Sequence, residues 1–441
     1  MLRAGFGRTD ITPELGVLLG GYSLERPAER ILDNLHSTAL MIEESGRTAI
    51  VMNLDWVEIS EETVALLRDK INQAIGVKQE HINISVSHSH STPNTVSCWG
   101  WGDADQKYID SVLDTIVQSA IIAQDHLQEV EVGFATTESL AGVSRRRISE
   151  NHGFDYSADE RELFDPEMTV VRFRNNGKEA GIVVHYGAHC TAMGANRLVS
   201  RDWCGIMKDR LEGQFNAPVL FLNGAIGGVG PRTNVRMGKN NLAAGVGDGI
   251  NSVYEVGYRA ATDAMRALLS IKEWRKDLKL NVHVEDITIP YAPLSQLKEA
   301  HAMVAKYESI KKPYGQDMCL YKHYMAVIEA HKGEMIKSRK FTQSVIAFGP
   351  LAIVPFPGEV FPGITLRIKH DSPFLHTLCS SITNGYWSYL HTREAIHRDQ
   401  NQRFEIWSTK MMSPYSFADN IDDVLVEQNL QLLRKIYNKI K

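Results

Sequence analysis

Residues 49–56 read AIVMNLDW and residues 81–87 read HINISVS, with Ser60 and the helix-spaced Val64, Leu67, Ile71 and Ile75 between them. The first segment is a short, nearly continuous apolar run, the pattern of a strand buried on both faces. Ser60 predicts a helix N-cap, because its hydroxyl can accept an orphan backbone N–H, and Glu61 and Glu62 suit the positive end of the dipole. Gly76 falls where a left-handed C-cap would end that helix. The second segment alternates as a strand. Strand, helix and strand at this spacing predict a βαβ unit with parallel strands and a right-handed crossover. The fold class that follows is α/β, a mixed and largely parallel sheet core flanked by helices.

Working outward, residues 105–127 carry Ile109, Val112, Ile116 and Ala120 on one helical face. Residues 168–174 and 181–187 read as a strand pair turning at Asn175-Asn176-Gly177, and residues 218–222 as a further strand. A helix is expected over 251–271, a strand over 278–291, an apolar hairpin over 344–356, a strand over 376–383 and a closing helix over 417–440. Residues 295–337 are more charged and read as a pair of helices, an insertion or cap. At 441 residues the chain is long enough for about three ordinary domains. No internal repeat or low-complexity linker divides it, however, so 1–441 is expected to be one large unit.

The charge balance, 48 Lys and Arg against 53 Asp and Glu, leaves no basic patch for phosphates, which argues against a nucleic-acid partner. No window reaches the ~18 uninterrupted apolar residues of a membrane helix. Five cysteines without regular spacing do not make a disulfide framework, and the N-terminus lacks the apolar core of a secretory signal. A cytoplasmic location is the expectation.

Chemistry gathers where these strands end, as it does in open α/β sheets. His88 and His90 occupy alternate positions of Ser87-His88-Ser89-His90-Ser91, so both imidazoles can face one site. They read either as metal ligands or as polar residues entering a Ser-rich loop. His189 follows a strand and reads either as structural or as a ligand. Cys98 and Cys190, each near a histidine, offer a Cys–His nucleophile, but nothing places a third, orienting group. Gly224-Ala225-Ile226-Gly227-Gly228-Val229-Gly230 is neither a dinucleotide fingerprint nor a phosphate loop, and it predicts close backbone approach to the site. Glu359, in Pro357-Gly358-Glu359, reads as the opening of a helix, where its carboxylate is either a cap or a third metal ligand.

Taken in order, these segments resemble the catalytic domain of the neutral/alkaline, non-lysosomal ceramidase family. Gly7-Arg8-Thr9-Asp10-Ile11-Thr12-Pro13 with Gly20-Gly21-Tyr22 is similar to its N-terminal signature, and SHSHSTP at 87–93 to its His-Thr-His-Ser-Gly-Pro motif. The run from His189 to Asn196, with Leu198-Val199-Ser200 and Asp202, resembles its second histidine segment. Phe356-Pro357-Gly358-Glu359 resembles its glutamate segment, and Asn384 with Tyr389, Leu390, Thr392 and Glu394 its tyrosine segment. The resemblance implies a zinc ion held by His88, His189, Glu359 and Tyr389. It implies His90 beside the metal as general acid/base or oxyanion donor, and Arg145, in Ser144-Arg145-Arg146-Arg147, as positive charge for the tetrahedral intermediate. The implied substrate is an N-acyl lipid or a related N-acyl compound.

The sequence departs from the family's pattern at three points. The segment that reads Asp-Val-Ser-Pro in the family is Gly228-Val229-Gly230-Pro231 here, so hydrolysis has to run through metal-activated water rather than a serine. The expected domain plan has no C-terminal immunoglobulin-like domain, and no export signal precedes the first motif. Two other readings stand beside the ceramidase-like one. The first is an amidohydrolase-type metal hydrolase, whose barrel also begins its site with His-x-His but leaves Glu359 and Tyr389 unexplained. The second is a binding protein that keeps the fold without catalysis.

Overall fold

The computed structural model describes residues 1–22, 25–148, 154–155, 159–235, 246–310, 315–398 and 408–440. Part of the glycine-rich stretch that continues toward Gly249, residues 236–245, lies outside them.

Three sheets share one apolar core. The first is built from β1 (Arg3–Asp10), β2 (His36–Glu44), β3 (Arg47–Leu54) and β4 (Ile82–Val86). Its outer face is covered by α1 (Glu61–Ile75) and α2 (Gln106–Asp125), with Leu67, Ile71, Ile109, Val112 and Ile116 buried. The capping expected of α1 is present: Ser60 Oγ accepts from Thr63 N, and Gly76 adopts φ 72° while its N–H returns to Asn72. The second sheet contains β5 (Glu131–Glu138), β6 (Glu167–Asn175), β7 (Lys178–Tyr186) and β8 (Val219–Asn223), covered by α3 (Asp202–Phe215) and α4 (Val246–Ser270). The third contains β9 (Leu280–Pro290), β10 (Ser338–Phe348), β11 (Leu351–Pro355) and β12 (His376–Ser380). Between β9 and β10, α5 (Leu297–Glu308) and α6 (Gln316–Ala330) pack on each other through Ala300, Val304, Tyr324 and Val327. Helices α7 (Pro362–Asp371) and α8 (Ile421–Ile440) cover the third sheet. Inner-face residues of all three sheets, among them Phe6, Val51, Phe173, Leu220, Phe348 and Ile353, meet in one buried cluster. Losing one such aromatic would cost about 3–5 kcal/mol, since the cavity left behind adds to the lost burial.

The α/β class stands, and the expected parallel pair is there, with Ile50 opposite Ile82 through Leu54 opposite Val86. Parallel pairing is more local than the sequence suggested. Each sheet carries one parallel edge strand, β4, β8 or β12, beside otherwise antiparallel neighbours. The short turns Ser45-Gly46, Asn176-Gly177 and Gly349-Pro350 connect neighbouring strands directly, which only antiparallel strands allow.

The carboxyl ends of the three edge strands converge. Ser85 bridges Thr383, Ile84 N donates to Asn384 Oδ1, Ser381 N donates to Asn223 O, and Asn223 Nδ2 reaches Ser87 O. These bonds satisfy backbone groups that would otherwise be orphaned inside the protein, and they fix the loops that follow the strands.

One local expectation is overturned. Glu359 does not open a helix. Glu359–Val360 form a two-residue strand parallel to Tyr389–Leu390, with Glu359 N bonded to Ser388 O and Phe361 N to Leu390 O. The helix starts only at Pro362, where a missing N–H costs nothing because first-turn donors have no intrahelical partner.

Candidate metal centre

His88 leaves β4 at φ 61°, a left-handed conformation that ends the strand and turns its ring inward. Its Nδ1 lies 2.5 Å from Val57 O. His189 follows β7, and its Nδ1 lies 2.9 Å from Val229 O, within the glycine-rich run. A carbonyl can only accept. Each ring therefore carries its proton on Nδ1 and presents a lone pair on Nε2, the arrangement that orients metal-binding histidines.

Glu359 and Tyr389 stand side by side because their backbones are directly paired. The close approach expected of the glycine run is real at Gly227, where a Cβ would lie 2.4 Å from the Phe361 ring and 2.7 Å from Glu359 O. Gly227 N donates to Val360 O. The run thereby ties the His189 loop to the glutamate strand.

The structure brings all six residues singled out in the sequence to one place. Nε2 of His189 is 2.9 Å from Oε2 of Glu359, and Nε2 of His88 is 3.8 Å from Oε1. The ligand atoms of His88, His90 and His189 lie within 4.8 Å of one another. Arg145 Nη2 contacts His189 Nε2 at 2.7 Å and Tyr389 Oη at 3.1 Å. All but His90 are buried.

The electrostatics explain how this set can hold a cation. Burial, followed by the Arg145 charge, lowers the His189 imidazole to about 3, and burial also lowers His88. Both are neutral at ordinary pH, the state in which an imidazole can take a cation. Burial pushes the Glu359 carboxyl up, but His88 and His189, which carry protons in the acid range where it would titrate, together with Arg145 outweigh it and hold it well below the usual range. Its Oε2 has no hydrogen-bond donor among the described residues. An imidazole lone pair therefore faces a buried carboxylate oxygen with no proton between them, which is costly unless positive charge is shared there. Arg145 already brings such charge to the edge of the cluster. Two imidazole nitrogens, a carboxylate and a phenol oxygen match the nitrogen and oxygen donors zinc takes in hydrolytic sites.

Sequence reasoning missed several parts of this site. Gly21, Tyr22 and Arg26 pack around His90: Tyr22 meets its ring edge-on at 4.9 Å between centroids, and Arg26 Nη2 donates to His90 O at 2.9 Å. Glu58 and Tyr386 lie behind Glu359. A signal for Glu58 was available, a lone acid inside the apolar run Trp56-Val57-Glu58-Ile59. The cysteine nucleophile is disfavoured, since burial raises the thiols of Cys98 and Cys190 well above their ordinary value and leaves neither as a thiolate.

Compared with protein-family models, the chain matches that of the neutral/alkaline non-lysosomal ceramidase N-terminal region over residues 2–235, more than half its length. The chain belongs to this ceramidase family. His88, His90, Arg145 and His189 lie inside the matched region, and Glu359 and Tyr389 lie beyond it. Membership places the protein among hydrolases of amide bonds. Among solved structures, the neutral ceramidase from Pseudomonas aeruginosa is similar over 100% of this chain and 75% of its own, with 20% identity and a TM-score of 0.75. A ceramidase complexed with C2 is similar over 100% of this chain and 76% of its own, with 19% identity and a TM-score of 0.74. These likenesses establish a shared ceramidase fold. A comparison with curated proteins yields no significant match. The amidohydrolase-barrel alternative falls with the family assignment, and the described strands form open sheets rather than a closed barrel.

Proposed function

We propose that this ceramidase-family protein is a zinc-dependent hydrolase of N-acyl lipids or related N-acyl compounds, with His88, His189, Glu359 and Tyr389 as metal ligands. The observation that carries this reading is the convergence of two Nε2 lone pairs on the buried Glu359 carboxylate, His189 on Oε2, which has no hydrogen-bond donor among the described residues, and His88 on Oε1. When bound there, zinc would supply a Lewis acid that activates water near neutral pH and polarises the amide carbonyl.

The protein's own groups do the rest. His90 is the one partly exposed imidazole of the three. Its Nε2 sits 3.1 Å from Nε2 of His88, whose own proton is on Nδ1, so His90 is the ring able to hold and pass a proton at that position. The Arg145 guanidinium, buried against His189 and Tyr389, contributes fixed positive charge where negative charge develops on the carbonyl oxygen. Val57 and Val229 hold the ligand rings in one tautomer. At the serine position of the family motif stands Gly230, in a short strand opposite Val143, so no hydroxyl is available there for attack. No described helix is long and apolar enough to cross a membrane, and the lipid is read as a substrate rather than an anchor.

The test is metal analysis of the purified chain together with a panel of fluorescent short-chain ceramides and other N-acyl amides, assayed with and without chelator. Near-stoichiometric zinc and chelator-sensitive fatty-acid release are expected. Turnover that survives complete removal of metal would reject the mechanism.

A further inference from the structure

Lys208 and Asp55 form an ion pair inside the protein, their side chains 1% and 0% exposed, with Nζ 2.8 Å from Oδ1 and 3.0 Å from Oδ2. Nothing in the chemistry proposed above uses it. A buried pair is also a weak source of stability, because taking two charges out of water costs about as much as their attraction returns. The place of the pair in the chain supplies another reason for it.

Asp55 directly follows β3 and begins the loop that orients His88. His36 N donates to its Oδ2 at 3.0 Å, so the carboxylate is held from the sheet as well as from Lys208. The next two residues grip the histidine: Trp56 O accepts from His88 N at 2.9 Å, and Val57 O lies 2.5 Å from His88 Nδ1. Lys208 belongs to α3, and α3 is bonded to the His189 loop too. Trp203 Nε1 donates to His189 O at 2.9 Å, with its ring buried against Tyr186 and Phe221. Asp202 opens the helix at φ 57°, a left-handed conformation uncommon outside glycine. Its carboxylate accepts from Ala192 N at 3.0 Å and from Met193 N at 2.9 Å, which pins the chain just past His189. The two loops touch each other as well, His90 N donating to Cys190 O at 3.2 Å, but α3 is a rigid element bonded to both.

We propose that α3 is the positioning element of the metal centre: Lys208 clamps the His88 loop through Asp55, Trp203 holds the His189 loop, and the helix sets the separation at which the two imidazoles share one ion. The inference rests on the reading of His88 and His189 as ligands. It accounts for a lysine buried far from solvent, and it gives Asp202 of the second histidine segment a task.

The experiment measures the zinc dissociation constant of the full chain by chelator competition, beside denaturant unfolding of the metal-free form of each variant. Asp55→Asn/Lys208→Met removes both charges together, so that neither is left unpaired, and the asparagine keeps an acceptor for His36 N. Its metal-free form is expected to unfold at about the wild-type midpoint, while zinc binding weakens about 10–100-fold, the usual cost of losing a support outside the ligands. Trp203→Phe keeps an aromatic ring without the indole N–H, and the same weakening is expected. Phe173→Leu, in the core shared by the three sheets, is the control: it should lower the midpoint and leave zinc affinity unchanged. Wild-type affinity in Asp55→Asn/Lys208→Met or in Trp203→Phe would overturn the proposal. So would a loss in Phe173→Leu equal to theirs, since affinity would then follow stability alone. If the charge-free variant does not fold, Trp203→Phe against Phe173→Leu decides. A wild-type chain that binds no zinc would instead reject the ligand assignment on which the inference stands.

Discussion

His88 and His90 are two residues apart and their Nε2 atoms lie 3.1 Å apart, yet only His88 has its Nδ1 fixed by a carbonyl. Nδ1 of His90 is buried without a hydrogen-bond partner among the described residues. The ring of His90 is held by packing instead, against Gly21 and the edge of Tyr22. A ring with a fixed tautomer suits a ligand, and a ring free to exchange its proton between nitrogens suits proton transfer. The two histidines of one short motif are therefore built for different work.

That difference is measurable. His90→Ala should keep zinc and lose turnover by about 10²–10⁴, the range for a general acid/base. His88→Ala should lose the zinc itself. Equal metal loss in the two variants, read by elemental analysis, would make His90 a ligand and refute the division of roles.

Gly21 offers a test at one remove from the chemistry. It adopts φ 85°, and a Cβ there would lie 2.4 Å from Cγ of His90. Gly21→Ala should strain the backbone by about 1–2 kcal/mol and displace the imidazole. Since a displacement of about 1 Å can cost 10²-fold in rate, turnover should fall far more than zinc content. Unchanged turnover would show that the ring has room to adjust.

The legibility of this site in the sequence was uneven for physical reasons. His88, His90 and His189 stand at the ends of strands whose apolar patterns are strong, and strand ends are where such sites form. Glu359 was readable only as one of two roles, because Pro357-Gly358-Glu359 looks like a helix start while the actual partner is a backbone segment around Tyr389, thirty residues away. Tyr389 carried no signal of its own and entered through family resemblance. The division into three sheets was not legible at all. Periodicity shows which face of a strand is buried but not which neighbour it pairs with, and the shared cluster joining Phe6, Phe173 and Phe348 is assembled from three separate stretches.

Metal binding should be visible as stability. Zinc that binds only the folded chain adds about 2.7 kcal/mol when free metal is about 100 times the dissociation constant. The unfolding midpoint should rise on adding zinc, fall with chelator, and not respond in His189→Ala. A midpoint unaffected by either treatment in the wild type would mean that the cluster does not bind zinc.

Acid should destabilise the protein before its carboxylates titrate. His185 and His323 are buried and lie apart from the proposed ligand residues in sequence. Burial first, with the nearby Lys369 and Lys410 respectively, lowers both to about 4. Unfolded, each would titrate near 6.5. Between about pH 6.5 and about pH 4 the unfolded chain therefore binds protons that the folded chain refuses, and stability falls as pH falls, by up to about 1.4 kcal/mol per pH unit for each histidine. Denaturant midpoints of the chelator-treated protein at pH 7, 6 and 5 should decrease in order. A flat series would mean that these rings already carry protons in the folded state.

The route of hydrolysis can be tested at Gly230. A covalent mechanism needs a nucleophile that forms an acyl-enzyme. Gly230 and its strand partner Val143 supply no hydroxyl, and the buried thiols of Cys98 and Cys190 stay protonated. Activated water needs none of these groups. Single-turnover assays with a chromogenic N-acyl substrate should therefore show no burst, and intact-mass spectra should show no acyl adduct. Gly230→Ser should not raise activity, since a hydroxyl added there would lack a base built to activate it, and the extra atoms would crowd a buried strand. A chelator-insensitive burst, or a mass increase equal to the acyl group, would identify a covalent nucleophile and overturn the water mechanism; Cys98→Ala and Cys190→Ala would then show which thiol carries it.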